Sequence, residues 1–172
     1  MTQKNTRETL TTTAIEDWYR NTIWGQRLED DDNLFEVMSL QVFQAGLTWK
    51  MILLRRDGFR KAFHNWNIKK VSVMNEDDIA ILVENREIIR NKSKISAVIE
   101  NARVIRNIQS NHGSFSKWFY EVTPSNECPV LQRELGHHFK FMGPEISRMW
   151  LMASGRITQE EGEKYRPVKN NM

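Results

Sequence analysis

One stretch, residues 34–49, constrains the fold more than any other, because it encodes a complete helix and the bend that ends it. Apolar residues recur there at helical spacing and share one stripe: Leu34, Val37, Met38 and Ala45. The acidic and amide residues 31–33 before it suit a helix N-terminus. Gly46 can take the left-handed conformation that stops a helix, and Thr48 can cap a second helix that begins at Trp49. The chain is therefore expected to bend sharply at Gly46.

Gln41 is the anomaly of this stretch, because it places an amide on the apolar stripe. A buried amide costs about 1–3 kcal/mol unless it finds hydrogen-bond partners. Two interpretations stay open from the residue alone: the core satisfies the amide, or a ligand does. Considered by itself, Gln41 favours the core interpretation.

The composition is that of an ordinary globular chain. Its 172 residues, 40% hydrophobic and 27% charged, suffice for one domain with a core. No apolar run approaches the roughly 20 residues that cross a bilayer, and no signal peptide opens the chain, so we expect a cytoplasmic protein without a membrane partner. The single cysteine, Cys128, leaves no internal disulfide and no thiol metal cluster. A formal net charge of +3 permits a polyanionic partner without requiring one.

The remaining sequence divides into helices joined by short connections. Residues 1–13 are polar and predicted to form a mobile arm, residues 14–158 a helical domain, and residues 159–172 a polar tail. One helix is expected from Trp49 to Trp66, with a kink at Asp57-Gly58. No stretch shows strand-type alternation of useful length. The predicted fold class is therefore all-α, a compact helical domain.

A short helix, a tight turn and a longer helix follow one another after Asn75, which suits the N-cap of the first. Residues 84–91 form the turn, and the long helix begins near Lys92. Backbone N–H groups at such a helix N-terminus bind anions, and Arg90 and Lys94 add positive charge. The pattern makes a helix-hairpin-helix candidate, and a DNA phosphate opposite its turn would anchor a duplex without reading sequence. A solvated basic turn is the alternative interpretation.

Motifs along most of the chain occur together, in this order, in one enzyme family. They are Tyr19 with Trp24-Gly25, Leu34-Phe35-Glu36, Gln44 to Trp49, Ile88 to Lys92 with Lys94-Ile95 and Asn101 to Arg103, Phe139 to Pro144, and Met152-Ala153 with Gly155. With these motifs, residues 15–158 resemble the DNA-3-methyladenine glycosylase I family of bacterial base-excision repair enzymes.

The resemblance implies a monofunctional DNA glycosylase that hydrolyses the N-glycosidic bond of 3-methyladenine in double-stranded DNA, as a monomer and without a cofactor. An enzyme acting on a base in a duplex must flip it out and hold it between aromatic faces. Tyr19, Trp24 and Trp49 are the rings we expect there. Gly46 and Leu47 would fill the gap left by the flipped nucleotide, although an ordinary contact between helices is the alternative for Leu47. The expected DNA contacts of the hairpin are Arg90, Asn91, Lys92, Ser93 and Lys94.

Gln41 is also where the sequence departs most from the family, which has a glutamate there, credited with recognising the methylated base and stabilising positive charge. A glutamine can still accept a hydrogen bond from the adenine N6 amine and donate one to N7. A charge-assisted hydrogen bond is about twice as strong as a neutral one, so we expect weakened catalysis by Gln41. The alternatives are a non-catalytic binder of alkylated or damaged DNA, and a plain helical DNA-binding module without a base pocket.

Two further departures concern the hairpin and a metal site. Glu87 stands where the family usually has glycine. The family commonly holds zinc with cysteine and histidine ligands from both ends of the chain, but Arg20, Glu160 and Lys164 occupy ligand positions here. Zinc needs deprotonated soft or imidazole ligands in a tetrahedral array, which the chain does not offer at these positions, so no metal site is predicted. A salt bridge from Arg20 is the hypothesised replacement, and the adjacent His137 and His138 are interpreted as structural or exposed.

Overall fold

The structure, a computed structural model, describes residues 14–123 and 125–168, and every regular element within those ranges is helical. The all-α prediction is thereby confirmed for the described residues. The predicted arm, residues 1–13, lies outside them. The elements are α1 (14–22), α2 (Asp31–Gln44), α3 (Trp49–Leu53), α4 (Arg56–Ala62), a 3-10 turn (His64–Trp66), α5 (Ile68–Ser72), α6 (Glu76–Leu82), α7 (Lys92–His112), α8 (Phe115–Lys117), a π turn (Trp118–Val122), α9 (Cys128–His138), α10 (Pro144–Ala153) and α11 (Gln159–Glu163).

Helix α2 is the centre of the fold. Every residue from Leu34 to Phe43 is buried, because α3, α5, α7, α8 and α10 all pack around it. The expectation of a single apolar stripe is therefore wrong, since a helix surrounded on all sides buries its whole circumference. Its N-cap is Asp30, whose side chain accepts a hydrogen bond from the Asn33 N–H. Asp31 instead accepts from the N–H groups of Phe115 and Ser116 and so holds the start of α8.

The expected bend after α2 is present. Gly46 has φ +77°, in the left-handed region that favours glycine. The Gln44 amide donates to the Leu47 carbonyl at 2.9 Å and closes the bend. Thr48 then caps α3 by accepting from the Met51 N–H at 3.3 Å.

The segment from Trp49 to Trp66 is not one helix, and its break is not at the expected place. Residues 54 and 55 separate α3 from α4, and Gly58 lies inside α4. The segment ends in a left-handed turn, with φ between 54° and 59° at His64, Asn65 and Trp66. Such a turn is rare for residues with a side chain and needs support from its surroundings. The fully buried Trp66 ring provides it by stacking on Phe63, with the ring centroids 4.8 Å apart.

The helix-hairpin-helix arrangement is present between α6 and α7. A capping box between Asn75 and Asp78 starts α6, as expected from the sequence. The turn then leads to Asn91, whose side chain caps α7 by accepting from the Lys94 N–H at 3.1 Å. Gly58 of α4 lies directly against the hairpin at Glu87. The helix that follows the bend and the hairpin are therefore in van der Waals contact.

The two ends of the described chain meet beside α10. The Gly25 N–H donates to the Ala153 carbonyl at 2.8 Å, and the Trp24 indole N–H donates to Gln159 Oε1 at 3.2 Å. Gln159 begins α11, which packs against α10, so the segment expected to be a polar tail starts with a helix. None of the helices in the described ranges is long and apolar enough to cross a membrane.

The Gly58–Glu87 contact generates a stability prediction. A Cβ at residue 58 would lie 2.8 Å from the Glu87 Cβ and closer still to its carbonyl oxygen, so Gly58→Ala must push the hairpin away. We expect this to lower the free energy of unfolding by about 1–3 kcal/mol, as overpacking usually does. Urea denaturation followed by circular dichroism measures the change.

Gly136→Ala is the matched control, because Gly136 also lies inside a helix but a Cβ there meets only the Met142 carbonyl at 3.4 Å. Helix propensity should then raise the free energy of unfolding by up to about 1 kcal/mol. Equal effects of the two substitutions would contradict the close approach of the hairpin to α4.

Candidate functional site

Three aromatic rings that the sequence assigned to a base pocket come together in the structure. Tyr19 is on α1, Trp24 follows it, and Trp49 begins α3 after the bend. The Tyr19 and Trp49 centroids are 5.0 Å apart at an interplanar angle of 68°, and those of Tyr19 and Trp24 are 6.4 Å apart. Tyr19 is buried, whereas both tryptophans keep part of their surface exposed. The rings therefore form a cluster with one buried member and two partly accessible ones.

Gln41 and the Tyr19 hydroxyl form the polar part of this cluster. Gln41 is only 2% exposed, and its side chain lies beside the Tyr19 hydroxyl. Neither the Gln41 Nε2 nor the Tyr19 hydroxyl has a hydrogen-bond partner among the described residues. Each unpartnered buried group costs roughly 1–3 kcal/mol. The core therefore leaves the Gln41 Nε2 without a partner, and the interpretation that a ligand satisfies it gains weight.

The Tyr19 phenol is held in its protonated form. Burial raises its pKa far above the ordinary value, and the negative charge of Glu36 raises it further. Arg56 and the Gln41 side chain offset part of this increase in the pKa. At neutral pH the hydroxyl is therefore a hydrogen-bond donor without an acceptor.

A buried ion-pair cluster, which the sequence analysis missed, lies behind the rings. Glu36 is nearly buried and contacts Arg56 Nε at 3.2 Å and Arg60 Nη2 at 3.2 Å. The Arg56 guanidinium also lies 4.4 Å above the ring of Trp18. Burial lowers the pKa of Arg56, and the nearby Glu36 carboxylate opposes that change. The spacing of the two arginines by one helical turn was the available signal, but nothing in the sequence pairs them with Glu36.

The ion-pair cluster borders a cavity of about 200 Å³ between α1, α2 and α4. Its lining includes Tyr19, Leu40 and all three members of the cluster. Because two guanidinium groups already bind the Glu36 carboxylate, this carboxylate is not free to act as a general base. Its role is to hold α4 onto α2 next to Tyr19.

The residues at the family's zinc positions do not fit a zinc ion. Arg20 pairs with Asp17 within α1, at 3.7 Å, and Lys164 pairs with Glu161 within one turn, at 3.0 Å. In the described ranges no group of three or more histidine, cysteine, aspartate or glutamate residues could hold a metal ion. The hypothesised Arg20 salt bridge between the chain ends is wrong, because Arg20 binds its own helix. The Trp24–Gln159 hydrogen bond connects these ends instead.

The hairpin presents some, but not all, of its expected DNA contacts at the surface. Arg90, Lys92 and Ser93 are exposed, and Asn91 caps the helix behind them. The prediction that Lys94 contacts DNA is wrong. Its side chain is buried, and Nζ donates to main-chain carbonyls at the end of α2. Its ammonium is therefore not available to a phosphate.

The bend places two further expected contacts next to the rings. Gly46 is exposed and Leu47 is partly buried against the core. Trp49 follows two residues later, so the bend and the aromatic cluster are continuous. Cluster, bend and hairpin thus lie on neighbouring elements of one domain.

The chain is similar in sequence to known proteins. A family model described as methyladenine glycosylase matches residues 9–163. DNA-3-methyladenine glycosylase 1 of Escherichia coli (strain K12) is 31% identical over 157 residues, which cover 81% of this chain and 84% of that protein.

Two solved structures of 3-methyladenine DNA glycosylase I from Staphylococcus aureus are also similar. One, described as the structural basis of 3-methyladenine recognition, is 27% identical with a TM-score of 0.76 and covers 84% of this chain and 87% of that one. The other, a glutamate-to-glutamine mutant, is 26% identical with a TM-score of 0.74 and covers the same shares. By sequence and by fold, this chain belongs to the methyladenine glycosylase family.

Proposed function

We propose that this protein is a monofunctional DNA glycosylase of base-excision repair, which flips 3-methyladenine out of duplex DNA and hydrolyses its N-glycosidic bond. One observation carries the proposal. The Gln41 Nε2 and the Tyr19 hydroxyl are buried at an aromatic cluster without hydrogen-bond partners among the described residues. Buried polar groups normally have hydrogen-bond partners. In a family of enzymes that bind a base, two such groups without partners are best explained by a base that forms hydrogen bonds with them.

The chemistry of these groups matches an alkylated adenine. A glutamine amide can donate to adenine N7 through Nε2 and accept from the N6 amine through Oε1. The Tyr19 hydroxyl adds a second donor. Stacking of a base on an aromatic side chain contributes about 1–3 kcal/mol, and Trp24 and Trp49 are the partly exposed rings that can supply it. Binding would also remove the cost of the unpartnered polar groups.

The hydrolysis step relies on the leaving group more than on the protein. Methylation at N3 already makes adenine a good leaving group, so binding and flipping leave water to cleave the bond. Gln41 cannot stabilise a cationic base or sugar with a full negative charge, and Glu36 is neutralised by its arginines. We therefore expect turnover weaker than a carboxylate at residue 41 would give. No lysine is assigned as a Schiff-base nucleophile, so strand cleavage is not expected.

DNA binding is assigned to the hairpin and the bend. The exposed N-terminus of α7, with Arg90, Lys92 and Ser93, would bind a backbone phosphate of a duplex. Leu47 at the bend would fill the gap that the flipped nucleotide leaves. Both contacts can be made by a single copy of the chain, so we propose that it acts as a monomer.

The second candidate function is a non-catalytic binder of alkylated DNA, and the amide at residue 41 is the observation that favours it. Incubation of the protein with methylated duplex DNA, followed by chromatography of released bases, separates the two. Release of 3-methyladenine above the spontaneous rate supports the enzyme. Specific binding of methylated duplex without release supports the binder. A protein that releases no 3-methyladenine and binds methylated and unmodified duplex equally refutes both.

Restoring the carboxylate tests the role of Gln41. We expect Gln41→Glu to raise the rate of 3-methyladenine release, by up to about ten-fold, because a charged acceptor stabilises the departing base more than an amide does. Gln132→Glu, on the distant α9, adds the same charge and should leave the rate unchanged. An unchanged rate in Gln41→Glu would count against the assignment of Gln41 to the base pocket.

The unpartnered hydroxyl predicts an unusual stability result. Tyr19→Phe removes a buried donor that has no acceptor, so the free energy of unfolding should stay equal or rise by about 1 kcal/mol. Tyr120→Phe is the matched control, because its hydroxyl accepts from the Leu28 N–H and donates to the Ser154 carbonyl. That substitution should lower the free energy of unfolding by about 1–3 kcal/mol. Equal losses in urea titrations of both variants would mean that the Tyr19 hydroxyl is satisfied in the free protein.

The hairpin predicts a salt dependence. Lys92→Met should weaken duplex binding about equally for every sequence and reduce the slope of log affinity against log salt by about 1, because one phosphate contact is lost. Fluorescence anisotropy at several salt concentrations measures the slope. Lys117→Met, at an exposed lysine of α8, should keep the parent slope. A normal slope in Lys92→Met would exclude that lysine from the DNA contact.

A further inference from the structure

Lys94 lies where the hairpin meets the bend, and the proposed function leaves its buried ammonium without a role. It is in the first turn of α7 and only 6% exposed. Its backbone N–H donates to the Asn91 side chain at 3.1 Å. The main chain of Lys94 is therefore part of the structure that forms the phosphate-binding end of the helix.

The side chain of Lys94 serves the bend instead. Nζ donates to the Phe43 carbonyl at 2.9 Å and to the Ala45 carbonyl at 2.6 Å. The last carbonyls of a helix lack partners within the helix and carry the negative end of its dipole. Helix α2 has no basic residue in its own last turn. Lys94 thus supplies, from another helix, the cation that the end of α2 lacks.

The position is chemically demanding. Burial disfavours the charged form and lowers the pKa of Lys94 below its ordinary value. The ammonium nevertheless makes two charge-assisted hydrogen bonds to carbonyls on either side of Gln44. An apolar side chain would fill the same space but would leave those carbonyls unpaired. What the lysine adds is therefore a directional link between α7 and the residues that lead into Gly46.

We propose that Lys94 is a positioning residue, which fixes the distance between the phosphate-binding hairpin and the bend that carries Leu47 and Trp49. The inference rests on the proposed function, because it requires hairpin and bend to act on the same duplex. With the link intact, a phosphate bound at the hairpin sets where Leu47 enters the duplex and where Trp49 meets the base. Without it, each part still binds its own ligand, but the two are no longer in register.

Single-turnover kinetics of Lys94→Met test the proposal. The substitution removes both donors and keeps an unbranched side chain. The rate of 3-methyladenine release from duplex at saturating protein should fall about ten- to a hundred-fold, the effect expected when the base is misplaced by about 1 Å. The affinity for free 3-methyladenine should stay within about two-fold of the parent value. Intrinsic fluorescence gives that affinity. Lys69→Met, at an exposed lysine of α5, is the matched control and should equal the parent in both measurements.

A second readout needs no turnover. When 2-aminopurine is placed opposite a stable abasic analogue, its fluorescence rises as a side chain enters the duplex. This rise should shrink in Lys94→Met and persist in Lys69→Met at saturating protein. If circular dichroism finds Lys94→Met unfolded at the assay temperature, Lys94→Gln, which keeps one donor without the charge, should show a smaller loss in the same direction.

The outcomes separate this inference from the proposed function. Equal release rates and equal 2-aminopurine responses in the parent and a folded Lys94 variant overturn the positioning role, as does a loss of free-base affinity as large as the loss of rate. A parent protein that distorts the duplex but releases no base refutes the enzyme, and the fluorescence comparison alone then decides the role of Lys94. A parent that does neither refutes both.

Discussion

The complete burial of α2 is the constraint on which the rest of the structure depends. A helix enclosed on all sides must pair every polar group that it carries, or bear the cost of leaving it unpaired. The molecule pairs Glu36 with two arginines from α4. It leaves Ser39 and Gln41 without partners among the described residues. The same enclosure that builds the core therefore leaves polar groups unpaired, and we propose that one of them, on Gln41, binds the base.

The two ends of α2 are held by charged residues in complementary ways. Asp31, near the N-terminus, accepts hydrogen bonds from the backbone of α8, and Lys94 of α7 donates to carbonyls at the C-terminus. Each contact joins the central helix to an element distant in sequence. The central helix, which itself carries Gln41, is thereby joined at one end to α8 and at the other end to the hairpin through Lys94.

Much of the fold could be predicted from the sequence, because the sequence signals for helices and their ends are local. Helical spacing, the stop at Gly46 and the cap at Asn75 depend only on near neighbours in the chain. Gly58 was misinterpreted as a break because a glycine in a helix looks like a turn signal, whereas its reason is the close approach of Glu87. The left-handed turn at residues 64–66 likewise accompanies the packing of Trp66 against Phe35 of α2, a contact between residues distant in sequence that no local pattern encodes.

The site could be predicted only where residue type was decisive. Aromatic residues at positions 19, 24 and 49 pointed to a base pocket, and the structure brings them together. Lys94 was misjudged because a lysine beside a helix start is usually at the surface. Its burial arises from unpaired carbonyls about fifty positions earlier in the chain. The partnership of Glu36 with the arginines was missed for the same reason, since long-range pairs leave no trace in spacing.

The hydrogen bond from Trp24 to Gln159 joins residues 135 positions apart, and this has a consequence for folding. The entropy of closing the loop between these residues must be lost before the contact can stabilise the fold, so we expect this contact to form late. We therefore expect the orientation of Trp24, one ring of the proposed base pocket, to be among the last features established. A chain that has collapsed around α2 but has not joined its ends would have a core and no finished recognition surface, so partly folded molecules would not compete for damaged bases.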